Sequence, residues 1–375
     1  MTVSPFLPQG GRSRRARALA RHRRRRRRMR LLAVCLLVLA AGAVAVSMGL
    51  ARSGTAHSPA SHARHTGTSA DAGVGAPEGY ANGLSRALPT HSPTGLPLGK
   101  APIALELSGA RDPVQASFHS PPRAGLLFDL SSGRVLWQLN PLERLHMASL
   151  TKLMTALRVV RSTTPDTPVL VTRQATEAAG SKVGVLPLGK HVEAETLLYG
   201  LLLPSGNDAA TALAQHVSGS VSSFVASMNV EAAQLGLGCT RYSSPSGYVN
   251  ASNYTCAADL AELAYVDLRQ PRIAHIVGSA QAVLPFPIKG GKLYLYNNNP
   301  LLVYGYPGAT GMKTGYTELA GDCLVATAER GGVRLGVVLL HSPDMGQQAE
   351  YLLNAGFADV YHQRRIASPL VPPGR

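Results

Sequence analysis

Gly125-Leu126-Leu127-Phe128-Asp129-Leu130-Ser131-Ser132-Gly133-Arg134-Val135-Leu136-Trp137-Gln138-Leu139 is the stretch in which the fold first becomes legible. Two short runs of apolar, β-branched and aromatic side chains flank Ser131-Ser132-Gly133, whose residue types favour a turn. The stretch therefore predicts a β-hairpin. Near the other end of the chain, Cys323 to Ala328 and Arg334 to His341 repeat that pattern around Arg330-Gly331-Gly332, which predicts a second hairpin. Between the hairpins the period changes. Ala148 to Val160, Ala194 to Leu203 and Asp208 to Val217 carry apolar residues at helical spacing, and Gln347 to Tyr361 predicts a final helix. Strands at both ends with helices between them predict an α+β domain over residues 121–362. Its antiparallel sheet would be formed by N- and C-terminal strands, with a helical subdomain between.

Outward from this domain the composition shifts. Residues 51–120 are rich in Ser, Gly, Pro, Ala and His, and 58–76 can bury almost nothing, so a disordered tether is expected there. Before it, Leu31 to Leu50 are twenty residues without a charge. About 20 apolar residues in a helix match the bilayer core, so 31–50 predicts a transmembrane signal-anchor. A cleaved signal peptide, with a cleavage site near Ala43 or Ala45, is the alternative. Residues 1–30 predict a basic cytoplasmic tail that orients the span. Either way the rest of the chain is exported, and membrane lipid is an expected partner through residues 31–50. Residues 363–375 form a short tail.

The formal charge of +16 invites a nucleic-acid reading until it is located. Twelve arginines lie between Arg12 and Arg30 with no acidic residue before position 31, which leaves only +4 for the remaining 345 residues. A like-charge block beside an apolar span reads as an orientation signal that also meets anionic lipid. Without aromatic interleaving or a recognisable nucleic-acid fold, no nucleic-acid partner is expected. The run can also serve as a cytoplasmic docking element. Of four cysteines, Cys35 lies in the apolar span. An exported domain permits a disulfide, and Cys239 with Cys256 is the expected pair. Three small buried side chains are the alternative, and Cys323, inside an apolar run, reads as one of these. No Cys/His spacing calls for a metal, and no cofactor is implied.

Three polar motifs carry chemistry. In Ser149-Leu150-Thr151-Lys152, residues three apart on a helix share a face, so Lys152 stands beside the Ser149 hydroxyl. A serine needs a base to become a nucleophile. Lys152 is one only when neutral, through burial or a nearby cation such as Lys313. In Ser205-Gly206-Asn207, the serine can relay a proton to a leaving amine, and the asparagine can bind a substrate carbonyl and orient Lys152. An ordinary N-cap turn favours the same residue types. In Lys313-Thr314-Gly315, a lysine and a hydroxyl suit a carboxylate, and the glycine lets backbone approach a ligand. The backbone N–H groups of Ser149 and Tyr316 are then candidate oxyanion donors. Exposed helix surface and a solvated β-turn are the plain alternatives for the first and third motifs.

The chain resembles the serine-type, penicillin-binding D-alanyl-D-alanine carboxypeptidases of the β-lactamase/transpeptidase-like fold. The matching stretches are Ala148 to Ala156, Pro204-Ser205-Gly206-Asn207-Asp208-Ala209-Ala210 and Gly311-Met312-Lys313-Thr314-Gly315-Tyr316-Thr317. The resemblance implies Ser149 as acylated nucleophile, Lys152 as general base, Ser205 and Asn207 as active-site partners, and Lys313 as carboxylate and proton-relay group. It implies peptidoglycan stem pentapeptides as substrates and β-lactam antibiotics as inhibitors. Ser244-Pro245-Ser246-Gly247-Tyr248 departs from the Asn-Pro-His-Gly-Leu common in such proteins. A β-lactamase on the same scaffold would need a Glu-x-x-Leu-Asn segment after the second motif, and none follows; Gly206 also stands where that class usually has aspartate. A D,D-endopeptidase would use the same residues. A non-enzymatic wall-binding protein would have no reason to keep Ser149, Lys152 and Lys313 together.

Overall fold

The computed structural model describes residues 89–107, 112–248, 252–287, 290–367 and 369–370. The first hairpin forms as expected, with β1 at Ala124–Asp129 and β2 at Val135–Leu139. Next come β3 (Leu145–His146), a 3-10 turn over Ala148–Thr151, and α1 (Lys152–Val160). The helical part contains β4 (Pro168–Leu170), α2 (Arg173–Thr176), β5 (His191–Glu193), α3 (Ala194–Leu202), α4 (Asn207–Ser218), α5 (Val221–Gln234), β6 (Tyr254–Thr255), α6 (Ala257–Leu268) and α7 (Pro271–Val277). It is followed by β7 (Gln281–Pro285), β8 (Lys292–Tyr296), α8 (Pro300–Val303), β9 (Ala309–Thr317), β10 (Gly321–Arg330), β11 (Val333–Ser342) and α9 (Met345–Ala355). One π-helical turn, Gly356–Val360, comes after α9.

The main sheet has the order β2-β1-β11-β10-β9, antiparallel throughout. The N-terminal hairpin thus pairs with the C-terminal strands, and β9 is left as an edge. Gly331 and Gly332, both at positive φ, make the two-residue turn between Arg330 and Val333. Both faces of the sheet are covered, which is why its strands read as nearly continuous apolar runs. On one face Leu126, Phe128, Val325 and Val338 pack with Leu153, Met154, Leu197 and Leu213 of the helical part. On the other, Leu127, Leu324, Val337 and Leu339 pack with Leu352, Leu353 and Phe357. Helix α1 is buried at every position except Arg158 and Val160, so it is the central helix of the helical layer.

The N-terminal boundary differs from expectation. Residues 89–107 and 112–120 fall within the predicted disordered tether, yet they lie as a strap along the body. Gly99 N donates to Ala233 O (2.8 Å), Ile103 N to Glu262 Oε2 (2.8 Å) and Val114 N to Leu136 O (2.9 Å). Ile103 and Val114 are buried. The strap is held by backbone groups bonding distant partners, with few apolar side chains and no period to betray it. At the far end, part of the expected tail also rests on the body, where Gln363 Nε2 donates to Arg330 O. The basic tail and the expected span at 31–50 lie outside the described residues. Among the described residues no helix is long and apolar enough to cross a membrane. Cys239 and Cys256 are joined in a disulfide with a Cα–Cα distance of 5.6 Å, and Cys323 is buried and free.

Candidate active site

Ser149 sits in the 3-10 turn that leads into α1, and Lys152 is the first residue of the helix proper. Ala148 takes a φ of +47°, a left-handed conformation unusual for a residue with a Cβ. Lys152 is completely buried. Its Nζ lies 2.9 Å from Ser149 Oγ, 2.7 Å from Asn207 Oδ1 and 2.8 Å from Ser246 O. Burial, then the neighbouring Lys313, hold the Lys152 ammonium well below its ordinary range, with Asp208 pulling the other way. Asn207 Oδ1 and Ser246 O can only accept. A neutral amine gives them its two N–H groups, and its lone pair then faces the hydroxyl of Ser149.

Each partner of Lys152 is itself fixed. Asn207 starts α4 and donates Nδ2 to Ala179 O (2.6 Å), which turns its oxygen toward the lysine. The carbonyl of Ser246 arrives on the 244–248 segment, which is clamped to α1 by the bond from Thr155 Oγ1 to Pro245 O (2.7 Å). Gly247, at φ +74°, passes so close to the serine turn that a Cβ there would lie 1.9 Å from Ala148 O. That close approach explains the glycine in a segment where Ser244, Ser246 and Tyr248 depart from the expected pattern.

Edge strand β9 supplies the third motif. Lys313 is buried opposite Val325, on the helix-facing side of the sheet, and burial alone pushes its pKa down to about 7. Its Nζ donates to Thr314 O (3.0 Å). Thr314 is buried, whereas Tyr316 is 63% exposed at the end of the strand. A Cβ on Gly315 would lie 3.0 Å from Ser149 N, so glycine is what lets the strand press against the serine turn. The structure thus joins Ser149, Lys152 and Asn207 by hydrogen bonds, with Lys313 close enough to act on Lys152. Ser205 differs from the rest. Its Oγ is buried and makes no hydrogen bond, and its φ is +68°. Nor does it cap α4, whose N-cap is Gly206.

Sequence reasoning missed two contributors, Ser246 and Asp208. A backbone carbonyl carries no side-chain signature, although Pro245-Ser246-Gly247 does announce a turn. Asp208 reads as an ordinary acidic residue in a helix's first turn. Among the described residues the one cluster of metal-binding residue types is Cys239, Cys256 and Asp259, and both of its sulfurs are in the disulfide.

Several known proteins are similar to this chain. The chain is 36% identical over 246 residues to the D-alanyl-D-alanine carboxypeptidase DacB2 of Mycobacterium tuberculosis, a match covering 64% of this chain and 83% of that one. It is 34% identical over 217 residues to the D-alanyl-D-alanine carboxypeptidase DacF of Bacillus subtilis. That match covers 56% of this chain and only 55% of the relative, so the chain spans about half of that protein's length. A Streptomyces DD-transpeptidase of known structure superposes with a TM-score of 0.61 at 31% identity, over 65% of this chain and all of that one. Residues 114–344 match the family described as D-alanyl-D-alanine carboxypeptidase, a stretch that takes in the main sheet, all three motifs and every partner of Lys152, and this chain belongs to that family.

Proposed function

We propose that this protein is a serine-type D-Ala-D-Ala carboxypeptidase that removes the terminal D-alanine from peptidoglycan stem pentapeptides through a Ser149 acyl-enzyme. The observation that carries this reading is the wholly buried Lys152, with Nζ 2.9 Å from Ser149 Oγ and its remaining contacts on pure acceptors. Ser149 Oγ attacks the carbonyl carbon of the D-alanyl-D-alanine bond while its proton passes to Lys152 Nζ. Backbone N–H groups of Ser149 and Tyr316 receive the developing oxyanion, each donor being worth about 10²–10³ in rate. Ser205 Oγ, which has no other partner, carries the proton onward to the leaving amine as the C–N bond breaks. Water then attacks the ester, Lys152 takes its proton, and the shortened stem peptide leaves.

Lys313 and Thr314 hold the terminal carboxylate. Burial brings the Lys313 pKa down to about 7, so it is only partly protonated near neutrality, and an arriving carboxylate draws it fully into the charged form. Penicillins offer the same carboxylate and a strained amide, and acylate Ser149. The catalytic body works outside the cytoplasm on the tether that follows residues 31–50, a placement supported by the arginine run and the disulfide.

The test is fluorescent-penicillin labelling of the full-length protein beside Ser149→Ala, with D-alanine release from a synthetic stem pentapeptide measured in parallel. Wild type takes one label per chain and releases D-alanine; Ser149→Ala does neither. An unlabelled wild type refutes the reading. Rapid loss of label without D-alanine release makes the protein a β-lactamase.

A further inference from the structure

Asp208 is 98% buried in the first turn of α4, and the serine chemistry leaves it without a task. Its Oδ1 accepts from the backbone N–H of Val183 (2.9 Å) and of Ala209 (2.9 Å), and its Oδ2 from that of Gly184 (3.0 Å). Two of these donors belong to the otherwise exposed loop over 179–184. The same loop returns Ala179 O to Asn207 Nδ2 (2.6 Å) and Ser181 O to Asn207 N (2.7 Å). Val183 completes the seat. Its Cγ2 occupies the notch left by two glycines, since a Cβ on Gly200 or Gly206 would lie 2.6 Å or 2.9 Å from it. A Cβ on Gly206 would also lie 2.7 Å from Asp208 Oδ1, so the glycine of the second motif makes room for this clamp.

We propose that Asp208 is a positioning residue for the reaction: its carboxylate pins the 179–184 loop to α4 and so fixes the amide of Asn207 with its oxygen on Lys152. The inference rests on Lys152 being the base. Without the loop, Asn207 Nδ2 loses its acceptor, and the amide is free to turn its N–H₂ toward the lysine. Donor would then face donor, and the lone pair that receives the Ser149 proton would lose its direction. The carboxylate has a second effect through space. The charged groups acting on Lys152 are Lys313 from β9 and Asp208 from α4, with opposite signs.

These effects separate in the pH–rate profile of acylation by fluorescent penicillin, measured on the full-length protein. Rates are taken per labelled site, so a partly unfolded preparation cannot mimic the result. Asp208→Asn removes the negative charge, so Lys152 is neutral at lower pH and the acid limb moves to lower pH. Its plateau falls about tenfold, because an amide cannot accept from all three N–H groups and the catalytic geometry loosens. Gly180→Ala leaves Asp208 intact but puts a methyl 2.7 Å from both Asn207 Nδ2 and the Tyr248 ring, on an exposed loop at φ +83°. Its plateau also falls roughly tenfold, with the acid limb unmoved. A merely structural aspartate would lower melting temperature and leave the plateau where it was. An Asp208→Asn variant with the wild-type plateau, wherever its limb lies, overturns the proposal while the carboxypeptidase reading stands; a wild type that takes no label overturns both.

Discussion

At the scale of single residues, the site is two lysines kept from their usual charge. Lys152→Met removes the proposed base and leaves Asn207 Oδ1 and Ser246 O without their donor. Acylation should fall by about 10²–10⁴-fold, the usual value of a positioned base. Stopped-flow labelling measures it, and a loss under tenfold would move the base elsewhere. Lys313 makes a prediction about stability. Its pKa is about 7 in the fold and near 10.4 in the unfolded chain, so the unfolded state binds more protons between those values. Stability of the wild type therefore rises with pH across that window. Lys313→Met has no such dependence, so it should melt above the wild type at pH 6, with the gap closing toward pH 10. Thermal unfolding at pH 6, 8 and 10 tests it, and a gap that does not change with pH would show that Lys313 is charged in the fold.

At the scale of elements, the strap is the part that sequence and structure describe most differently. The two hairpins were legible because each announces itself within fifteen or so residues: apolar runs, turn chemistry, and for Gly331-Gly332 two residues that tolerate positive φ. The central helices were legible from their period. Strands β3 and β6 were not, since each is two residues long and Leu145 pairs with Thr255 across the helical part. The β7–β8 hairpin carries only a short signal, in Lys292 to Tyr296, whose side chains alternate exposed and buried as a strand's should. The strap had no local signal at all. What holds it includes contacts through carboxylates, among them Ile103 N to Glu262 Oε2 and Gln138 N to Asp112 Oδ2. Burial raises the Glu262 carboxyl to about 7, so the folded state binds more protons than the unfolded one between about 4.5 and 7, and this group's contribution is lost as pH rises through that range. Glu262→Gln keeps an acceptor for Ile103 and never ionises. It should melt above the wild type at pH 8 and with it at pH 4.5, as calorimetry can establish; equal gaps at both values would mean that Glu262 is not the titrating group.

At the scale of the molecule, the site depends on a long connection between α5 and α6 that brings Ser246 to Lys152. The residue types of the three motifs pointed to the chemistry, but they could not show that the fourth contributor is a carbonyl on this connection. The Cys239–Cys256 disulfide closes it, seventeen positions apart, and Asp259 Oδ2 accepts from Cys239 N and Thr240 Oγ1 at the same end. Closing a loop of that length contributes about 3 kcal/mol, mainly by restricting the unfolded chain. For a body of this size that corresponds to roughly 6–12 °C in melting temperature. The Cys239→Ala/Cys256→Ala double variant should lose that much. Its acylation rate should change far less, because Ser246 is held near the lysine by contacts the disulfide does not make. Thr155 Oγ1 bonds Pro245 O, and Gly247 packs on the serine turn. Melting and penicillin labelling on the same preparations decide the matter. A small loss of stability with a large loss of rate would mean that the disulfide, rather than the Thr155 and Gly247 contacts, sets the position of the Ser246 carbonyl.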